Sequence, residues 1–579
     1  MLTEHIWEYR KPAEGNFEKA FLKETELLTS LPVIRDIIRS RNNLVPPFFF
    51  NKPPVIQPEH FQEAANIIEQ HIAADGSILV WGDYDVDGMT STAAMVFGLK
   101  LLGANVTWAI PNRLENGYGI DVTTISQKAR AGALIITVDN GISDVTQVTE
   151  LKERGYKVIV TDHHIPGDTL PDTMVVNPKV FAAPEDDIYM ASGVFVAASL
   201  VRVLAQRLVD KGRALSQVIQ LIDQHCFCLI TLGTISDVIP LNPTMRQYVL
   251  WGLTALMTTN HAGIRALLDM CGARRNQSIS STFLAYSVVP KLNAAGRMGH
   301  PENGTRLLLM HEDPSANHTT SLLAANELKY MNTDRKIIEN QIVLEAVELA
   351  KQQLEKYPHS LVLYKPNWHS GVIGIVAARI AEQFYRPTII LSEEGGMLKG
   401  SGRSVGNFDL HGALKTCSDY LLGFGGHTAA AGVQLQKNQL DAFMQAFDNA
   451  VRDADISNVC TLLVDGNITM DQMYDIRFAL FLENIEPLGS GNSELLLRLD
   501  NVKILSVSDR REVMNLIIQD ESERTLMVGR YKAPEEYRTF VGKKVSLLLS
   551  PMLNYFGGTT SVEWRIHSIK EIKREDGNV

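Results

Sequence analysis

The stretch SILVWGDYDVDG, residues 77–88, decides the fold: an apolar run of strand character ends in Asp83, Asp85 and Asp87 at alternate positions. The same grammar recurs downstream. ALIITV (133–138) runs into Asp139 and Asn140, and YKVIVT (156–161) runs into Asp162, His163 and His164. NVTWAI (105–110) and MVV (174–176) are further short apolar runs, separated by helix-period stretches such as 89–102 and 144–154. This βαβα alternation predicts an α/β fold with a parallel sheet covered by helices on both faces. In such a sheet the carboxyl ends of the strands converge on one crevice, where ligands bind. A predicted helix, FCLITLGTIS, ends at Asp237, so four separate segments deliver carboxylates and imidazoles to one place.

Outward from this core, residues 1–50 read as a lead-in, closed by the breakers PPFFF and KPP. The parallel-sheet unit spans 51–312. Residues 313–357 read as one long bridging helix, with apolar positions at Leu322, Leu328, Met331, Ile338 and Ile342. A second α/β unit covers 358–454: LVLY (361–364), a helix from Gly371 to Phe384, TIIL (388–391), LKGSGRS (398–404) and FGGHTAAAGVQL (424–435). Residues 455–579 alternate in short runs such as VMNLIIQ, RTLMVGRY and KKVSLLL, which predict a small all-β barrel or sandwich.

Composition excludes several classes. With 579 residues, 45% hydrophobic and 21% charged, the chain has the balance of a globular protein of several domains, not of a fibre or an unfolded tail. No apolar run approaching the roughly 18–20 residues of a membrane span was found, and MLTEHIWEYRKPAEG carries charges where a signal peptide needs an apolar centre. A cytoplasmic location is expected. Five cysteines do not make a disulfide scaffold, and Cys226 and Cys228 in DQHCFCLITLG read as buried packing. The net charge of −11 argues against a protein that coats nucleic acid, but it admits an enzyme with a local basic channel.

Carboxylates gathered at one sheet edge repel one another, and a divalent cation is the natural compensation. A mixed Asp and His donor set suits Mn2+ or Mg2+ better than a thiolate-loving ion. Shared carboxylates imply two ions roughly 3.5–4 Å apart, the arrangement that activates water for phosphoryl displacement. The bland alternatives fare worse. An EF-hand fragment lacks Glu at its twelfth position, and no G-x-x-x-x-G-K-[ST] or G-x-G-x-x-G follows a strand.

GDYDVDGMTST, TVDNGIS, VTDHHIPG and GTISDVIPL resemble the four successive motifs of the DHH phosphoesterases. PNRLENGYG, KLNAAGRMGH, WHSGVIGIVAARI, KGSGRS and FGGHTAAAG narrow the resemblance to RecJ-type single-strand-specific DNA exonucleases, over roughly residues 45–435. The resemblance implies a DHH catalytic domain at 51–312, a DHHA1 substrate-binding domain at 358–454 and an OB-like nucleic-acid-binding barrel at 455–579. It assigns Asp85, Asp87, Asp139, His163 and Asp237 as metal ligands, with Asp139 bridging two ions. His164 would contact the scissile phosphate, and Asp83 would support the cluster. One position departs: Trp81 stands where related phosphoesterases often carry a His, four residues before Asp85.

The same resemblance places substrate contacts at Arg113, Tyr118, Arg297, Ser401, Arg403 and His427. Their chemistry is consistent with that role. Arg113 and Tyr118 offer a charged donor and a stacking face. Arg297 lies in a stretch, 261–300, with five Lys/Arg against one acidic residue. GSGRS brings Ser401 and Arg403 between small residues, and Gly425 and Gly426 precede His427 in a flexible loop.

The implied activity is metal-dependent 5′-to-3′ degradation of single-stranded DNA to 5′-mononucleotides in DNA repair and recombination. The implied partners are single-stranded DNA, a single-strand-binding protein and a helicase, with no membrane. A hydrolase of short oligonucleotides or cyclic dinucleotides is the alternative within the superfamily, and it has no need of a β-rich tail of about 125 residues. A non-catalytic DNA-binding scaffold is the alternative from another class, and there the ligand positions would be lost.

Overall fold

The computed structural model describes residues 5–11, 31–41, 59–112, 117, 119–310, 317–454, 460–510, 513–531, 535–556 and 559–572. Chain order and spatial order part at once. The first strand, β1 (His5–Tyr9), pairs in parallel with a strand some 450 residues on, in the C-terminal domain. The central sheet follows: β2 (Ser77–Trp81), β3 (Asn105–Ala109), β4 (Leu134–Val138), β5 (Lys157–Thr161) and β6 (Met174–Val176). Its order is β3-β2-β4-β5-β6, parallel throughout. Alternate residues feed opposite faces, as strand geometry requires. Ile78, Val80, Leu134, Ile136 and Ile159 face a core built on helices 59–73, 86–101 and 193–210. Leu79, Trp81, Ile135, Val158 and Val160 face helices 122–128 and 145–153. Burial on both sides is why these strands read as unbroken apolar runs.

One expectation is corrected here. Helix Gln217–Ser236 is long and apolar enough, by length and composition, to cross a membrane, although no such run was expected. It runs instead through the domain interior against helices 86–101, 193–210 and 243–258, with Cys226 and Cys228 buried in the same core.

Helix His318–Gln353 spans 36 residues, about 54 Å, and starts at a capping box between Asn317 and Thr320. Its first half packs on helices 262–270 and 289–297, and its second half on helix 373–384 and strand β7 (Leu361–Tyr364). With β8 (Thr388–Glu394), β9 (Met397–Arg403), β10 (Gly423–Gly426) and β11 (Ala430–Gln436), β7 forms a sheet of order β10-β11-β9-β8-β7.

The C-terminal domain holds β12 (Cys460–Val464), β13 (Gly466–Asn467), β14 (Leu497–Arg510), β15 (Val513–Gln519), β16 (Thr525–Tyr531), β17 (Lys544–Phe556) and β18 (Thr559–Glu571). The last five close on themselves in the order β14-β15-β16-β18-β17-β14, a five-stranded barrel with the Greek-key path of an OB fold. The domain is not all-β. A capping box at Thr469 and an Asp475 cap start helices 470–473 and 476–485, and Phe478, Phe481, Leu482 and Ile485 fill the barrel end. The lead-in also belongs here: Leu31, Val33, Ile34, Ile37 and Ile38 lie in the same core. Arg41 makes a two-armed ion pair to buried Asp465, at 2.9 and 2.8 Å, and Arg10 joins it at 2.7 Å.

Candidate functional site

At the carboxyl edge of the central sheet each acidic group is held by a local device. Asp85 caps helix 86–101, accepting the Gly88 N–H at 3.0 Å. Asp87, in the first turn, accepts the N–H groups of Gly193 (2.7 Å) and Val194 (3.0 Å), so the start of helix 193–210 points at its carboxylate. Asp139 leaves β4 in the left-handed region, φ +63°, while its N–H donates to Thr161 O. Asp237 is the C-cap of helix 217–236, followed by Val238 at φ +54°. The N–H groups of Val238 and Ile239 donate back to the carbonyls of Ile235 and Thr234, a Schellman closure. That closure usually uses Gly; a β-branched residue there costs on the order of 1–3 kcal/mol.

These devices converge. His163 Nε2 lies 3.1 Å from Asp139 Oδ1, 3.6 Å from Asp237 Oδ2 and 3.7 Å from Asp87 Oδ2. Three triplets, Asp83/Asp85/Asp139, Asp87/His163/Asp237 and Asp139/His163/His164, each bring their ligand atoms within 4.8 Å of one another. Burial, then the charges of Asp237 and Asp85, push the Asp87 carboxyl up to about 7 against the opposing pull of His163. Asp237 rises to about 7 through burial and Asp85. Asp139 rises well above the carboxylate range through burial and the surrounding aspartates.

The two adjacent histidines behave oppositely. Burial takes His163 down to about 4, so it is neutral, the form that ligates a cation. Burial also opposes charge on His164, yet the Asp162 hydrogen bond and charge raise it to about 9. Asp162 is the hinge of this difference. Its buried carboxylate accepts the N–H groups of His163 (2.7 Å), His164 (3.1 Å) and Ile142 (3.0 Å) and the His164 Nδ1–H (2.8 Å). Burial would raise it, but the His164 bond and the neighbouring imidazoles hold it down at about 2.

Among the described residues, buried Asp139 Oδ1 and both His163 ring nitrogens have no hydrogen-bond partner. A Cβ at Gly193 would lie 2.5 Å from Asp139 Oδ1, and one at Gly233 2.6 Å from Asp87 Oδ1. Crowded acidic oxygens, a neutral imidazole and unmatched buried acceptors fit divalent cations and little else.

The second domain faces this edge. Gly296 abuts the Tyr84 carbonyl, so helix 289–297 lies directly on the GDYDVDG loop. Gly371 abuts the Arg297 carbonyl, and Arg297 Nη1 donates to Gly371 O at 3.4 Å. At the start of helix 373–384, a Cβ on Gly374 would meet Ser401 Oγ at 3.0 Å and Arg403 Nη2 at 3.3 Å. Arg403 also donates to Ser401 Oγ at 3.1 Å. A helix N-terminus, a hydroxyl and a guanidinium thus share one spot suited to an anion. His427, on the exposed β10–β11 hairpin, is held below its usual range by burial and then by the charges of His164 and Lys179 across the cleft.

Asp83, Asp85, Asp87, Asp139, His163, His164 and Asp237 therefore come together, and Arg297, Ser401 and Arg403 line the seam opposite. Arg113 and Tyr118 lie outside the described residues. Trp81 is fully buried, its indole N–H donating to Gly119 O at 3.1 Å. Reading from sequence missed the roles of Asp162, Gly193, Gly233 and Lys179, whose ammonium donates to the His163 carbonyl. Asp162 was visible at the end of YKVIVT, and its acceptance of four donors is the part only the fold displays.

Comparison with known proteins gives the same picture. The DHH family, N-terminal domain, matches residues 77–234, and the DHHA1 domain matches 358–453. The chain is 38% identical over 418 residues to the single-stranded-DNA-specific exonuclease RecJ of Salmonella typhimurium, covering 69% of this chain and 70% of that one. Among solved structures, RecJ of Thermus thermophilus in complex with Mn2+ superposes with a TM-score of 0.79 at 26% identity, covering 100% of this chain and 81% of that one. An exonuclease RecJ bound to manganese gives 0.58 at 32% identity, covering 70% and 97%.

Proposed function

The chain belongs to the RecJ family of single-stranded-DNA-specific exonucleases, and on that premise we propose that it uses Mn2+ or Mg2+ to degrade single-stranded DNA from the 5′ end, releasing 5′-mononucleotides. The observation that carries this reading is the sharing of Asp139 and His163 among overlapping triplets, with Asp139 Oδ1 and both His163 ring nitrogens buried and without a hydrogen-bond partner among the described residues. Asp85, Asp87, Asp139, His163 and Asp237 would hold two ions, and Asp83 would brace the group. Ions bound there would supply an activated water and neutralise charge developing on the phosphoryl oxygens.

The chain's own residues do the rest. Asp162 fixes the orientation of the His164 imidazolium through Nδ1, and this cationic ring donates to a non-bridging phosphate oxygen. As ligands Asp87 and Asp237 would be deprotonated, whereas His163, already neutral, would have no proton to lose. Ser401, Arg403 and the N-terminus of helix 373–384 hold a terminal phosphate, with Arg297 at the domain seam. Arg113 and Tyr118 complete the grip on the strand end, and His427 closes on the phosphate from the hairpin. A site seated between two domains admits one strand and excludes a duplex. The barrel suits the trailing strand through stacking and phosphate contacts, which a hydrolase of dinucleotides does not need. A helicase and a single-strand-binding protein would present such strands during repair and recombination. The test is release of mononucleotides from end-labelled single strands, with duplex DNA as control and EDTA as the block.

A further inference from the structure

Asp237 stands four residues before Leu241, whose side chain is buried in the core of its own domain and whose backbone is tied to the C-terminal one. Its N–H donates to Ser490 O at 2.8 Å, and Gly489 packs on its side chain, where a Cβ would lie 3.0 Å from Leu241 Cδ1. Ser490 lies in a tight turn closed by reciprocal backbone bonds between Gly489 and Asn492, at 2.8 and 3.1 Å. Buried Asn492 ties that turn to the preceding segment, its Nδ2 donating to Ile485 O (2.9 Å) and Pro487 O (2.8 Å). The catalytic domain clamps the segment's other side. Arg246 Nη2 donates to Glu486 O at 2.9 Å, and Glu486 Oε2 accepts the Ser281 hydroxyl at 2.7 Å.

Between Asp237 and this anchor lies Val238, left-handed at φ +54° and 66% exposed. A β-branched residue keeps that conformation only where its surroundings hold it, and its own side chain packs on little. Letting residues 238–241 unwind would relieve the strain and swing Asp237 off the cluster. Within the catalytic domain the bonds of Val238 and Ile239 to Ile235 and Thr234 and the buried Ile239 and Leu241 side chains oppose that unwinding. From the C-terminal domain the Leu241–Ser490 bond adds to them.

Resting on the metal-site reading above, we propose that the 486–492 turn of the C-terminal domain is a positioning element for the metal ligand Asp237, with Asn492 as its key residue. The barrel domain then contributes to cation binding in the catalytic domain as well as to DNA contact. Support for a ligand from residues that do not touch the metal typically changes affinity 10–100-fold.

The test is a double-mutant cycle on the full chain, read by calorimetric titration with Mn2+ in the absence of DNA, alongside thermal unfolding. Asn492→Ala should weaken Mn2+ binding about tenfold, and it should cost nothing further in an Asp237→Ala background. Equal weakening in both backgrounds, or none in a folded Asn492→Ala protein, overturns the proposal. If Asp237→Ala itself leaves Mn2+ binding unchanged, the metal-site reading fails and takes the proposal with it. Should Asn492→Ala not fold, Gly489→Ala, which crowds Leu241 and keeps the turn's hydrogen bonds, decides by the same cycle.

Discussion

Gly193 stands so close to Asp139 that a Cβ at its position would lie 2.5 Å from Asp139 Oδ1. The same glycine's N–H donates 2.7 Å to Asp87 Oδ2, so one small residue lets two candidate ligands approach the first turn of helix 193–210.

Gly193→Ala should therefore displace Asp139 while leaving the fold intact. Overpacking of this kind costs about 1–3 kcal/mol, which a domain of this size tolerates. Mn2+ affinity and turnover should each fall at least tenfold. Calorimetry and a nuclease assay check this, and unchanged Mn2+ affinity would show that Asp139 does not contact the ion.

Without metal, stability should fall as pH rises from about 6.5 to about 9. Asp87 and Asp237 are raised to about 7 and His164 to about 9, so the folded chain holds protons that the unfolded chain has already lost. Stability from such raised groups is fully present below their unfolded pKa values and is lost as pH passes the folded ones. His163, depressed to about 4, acts in the opposite sense only below about 6.5, outside this window. Mn2+ should restore more stability at pH 8.5 than at pH 6.5. Thermal unfolding in EDTA and in Mn2+ across this range is the measurement; a metal-free protein that gains stability on the alkaline side contradicts the electrostatics.

Arg403→Ala should lower kcat/KM on 5′-phosphorylated single strands about tenfold and narrow their advantage over 5′-hydroxyl strands. A hydrogen bond to a charged group contributes about 1.5–3 kcal/mol, and a guanidinium suits the phosphate dianion better than a point charge. Metal content should not change, because Arg403 sits on β9 of the second domain. A full preference for the 5′-phosphate in the mutant removes Arg403 from the end pocket.

How much of this was legible in the sequence follows from the range of each interaction. Asp85, Asp139 and His163 were readable because each sits at the end of its own apolar strand, a pattern carried by neighbouring residues. The close approach of Gly193 to Asp139 was not, since it joins residues 54 positions apart in chain order. The pairing of β1 with β12 was hidden for the same reason, and a lead-in rich in breakers gave no sign of belonging to a distant core. Helices 470–473 and 476–485 were lost within a tail whose alternating runs favoured strands.

That hidden pairing changes how the barrel can be removed. Deleting 455–579 alone would strip β1 of its partner and expose Val33, Ile34 and Ile37, so the truncated chain should aggregate. Removing 1–41 as well should restore a soluble protein that cleaves very short strands better than long ones. Light scattering and a comparison of 4- and 40-nucleotide substrates, lengths chosen as roughly below and above a barrel's reach, decide it. Equal losses on both lengths would leave the C-terminal domain its part in positioning Asp237 and no part in holding the strand.

The most direct measurement is digestion of single-stranded DNA carrying a 5′ or a 3′ label, by wild type and by Asp139→Ala, in Mn2+, Mg2+ or EDTA. Wild type should release the 5′ label as a mononucleotide at once and the 3′ label only late. It should do so with either metal, not in EDTA, and not on a blunt duplex, and Asp139→Ala should release neither label. Early release of the 3′ label, activity that survives EDTA, or turnover of Asp139→Ala within tenfold of wild type would contradict the account.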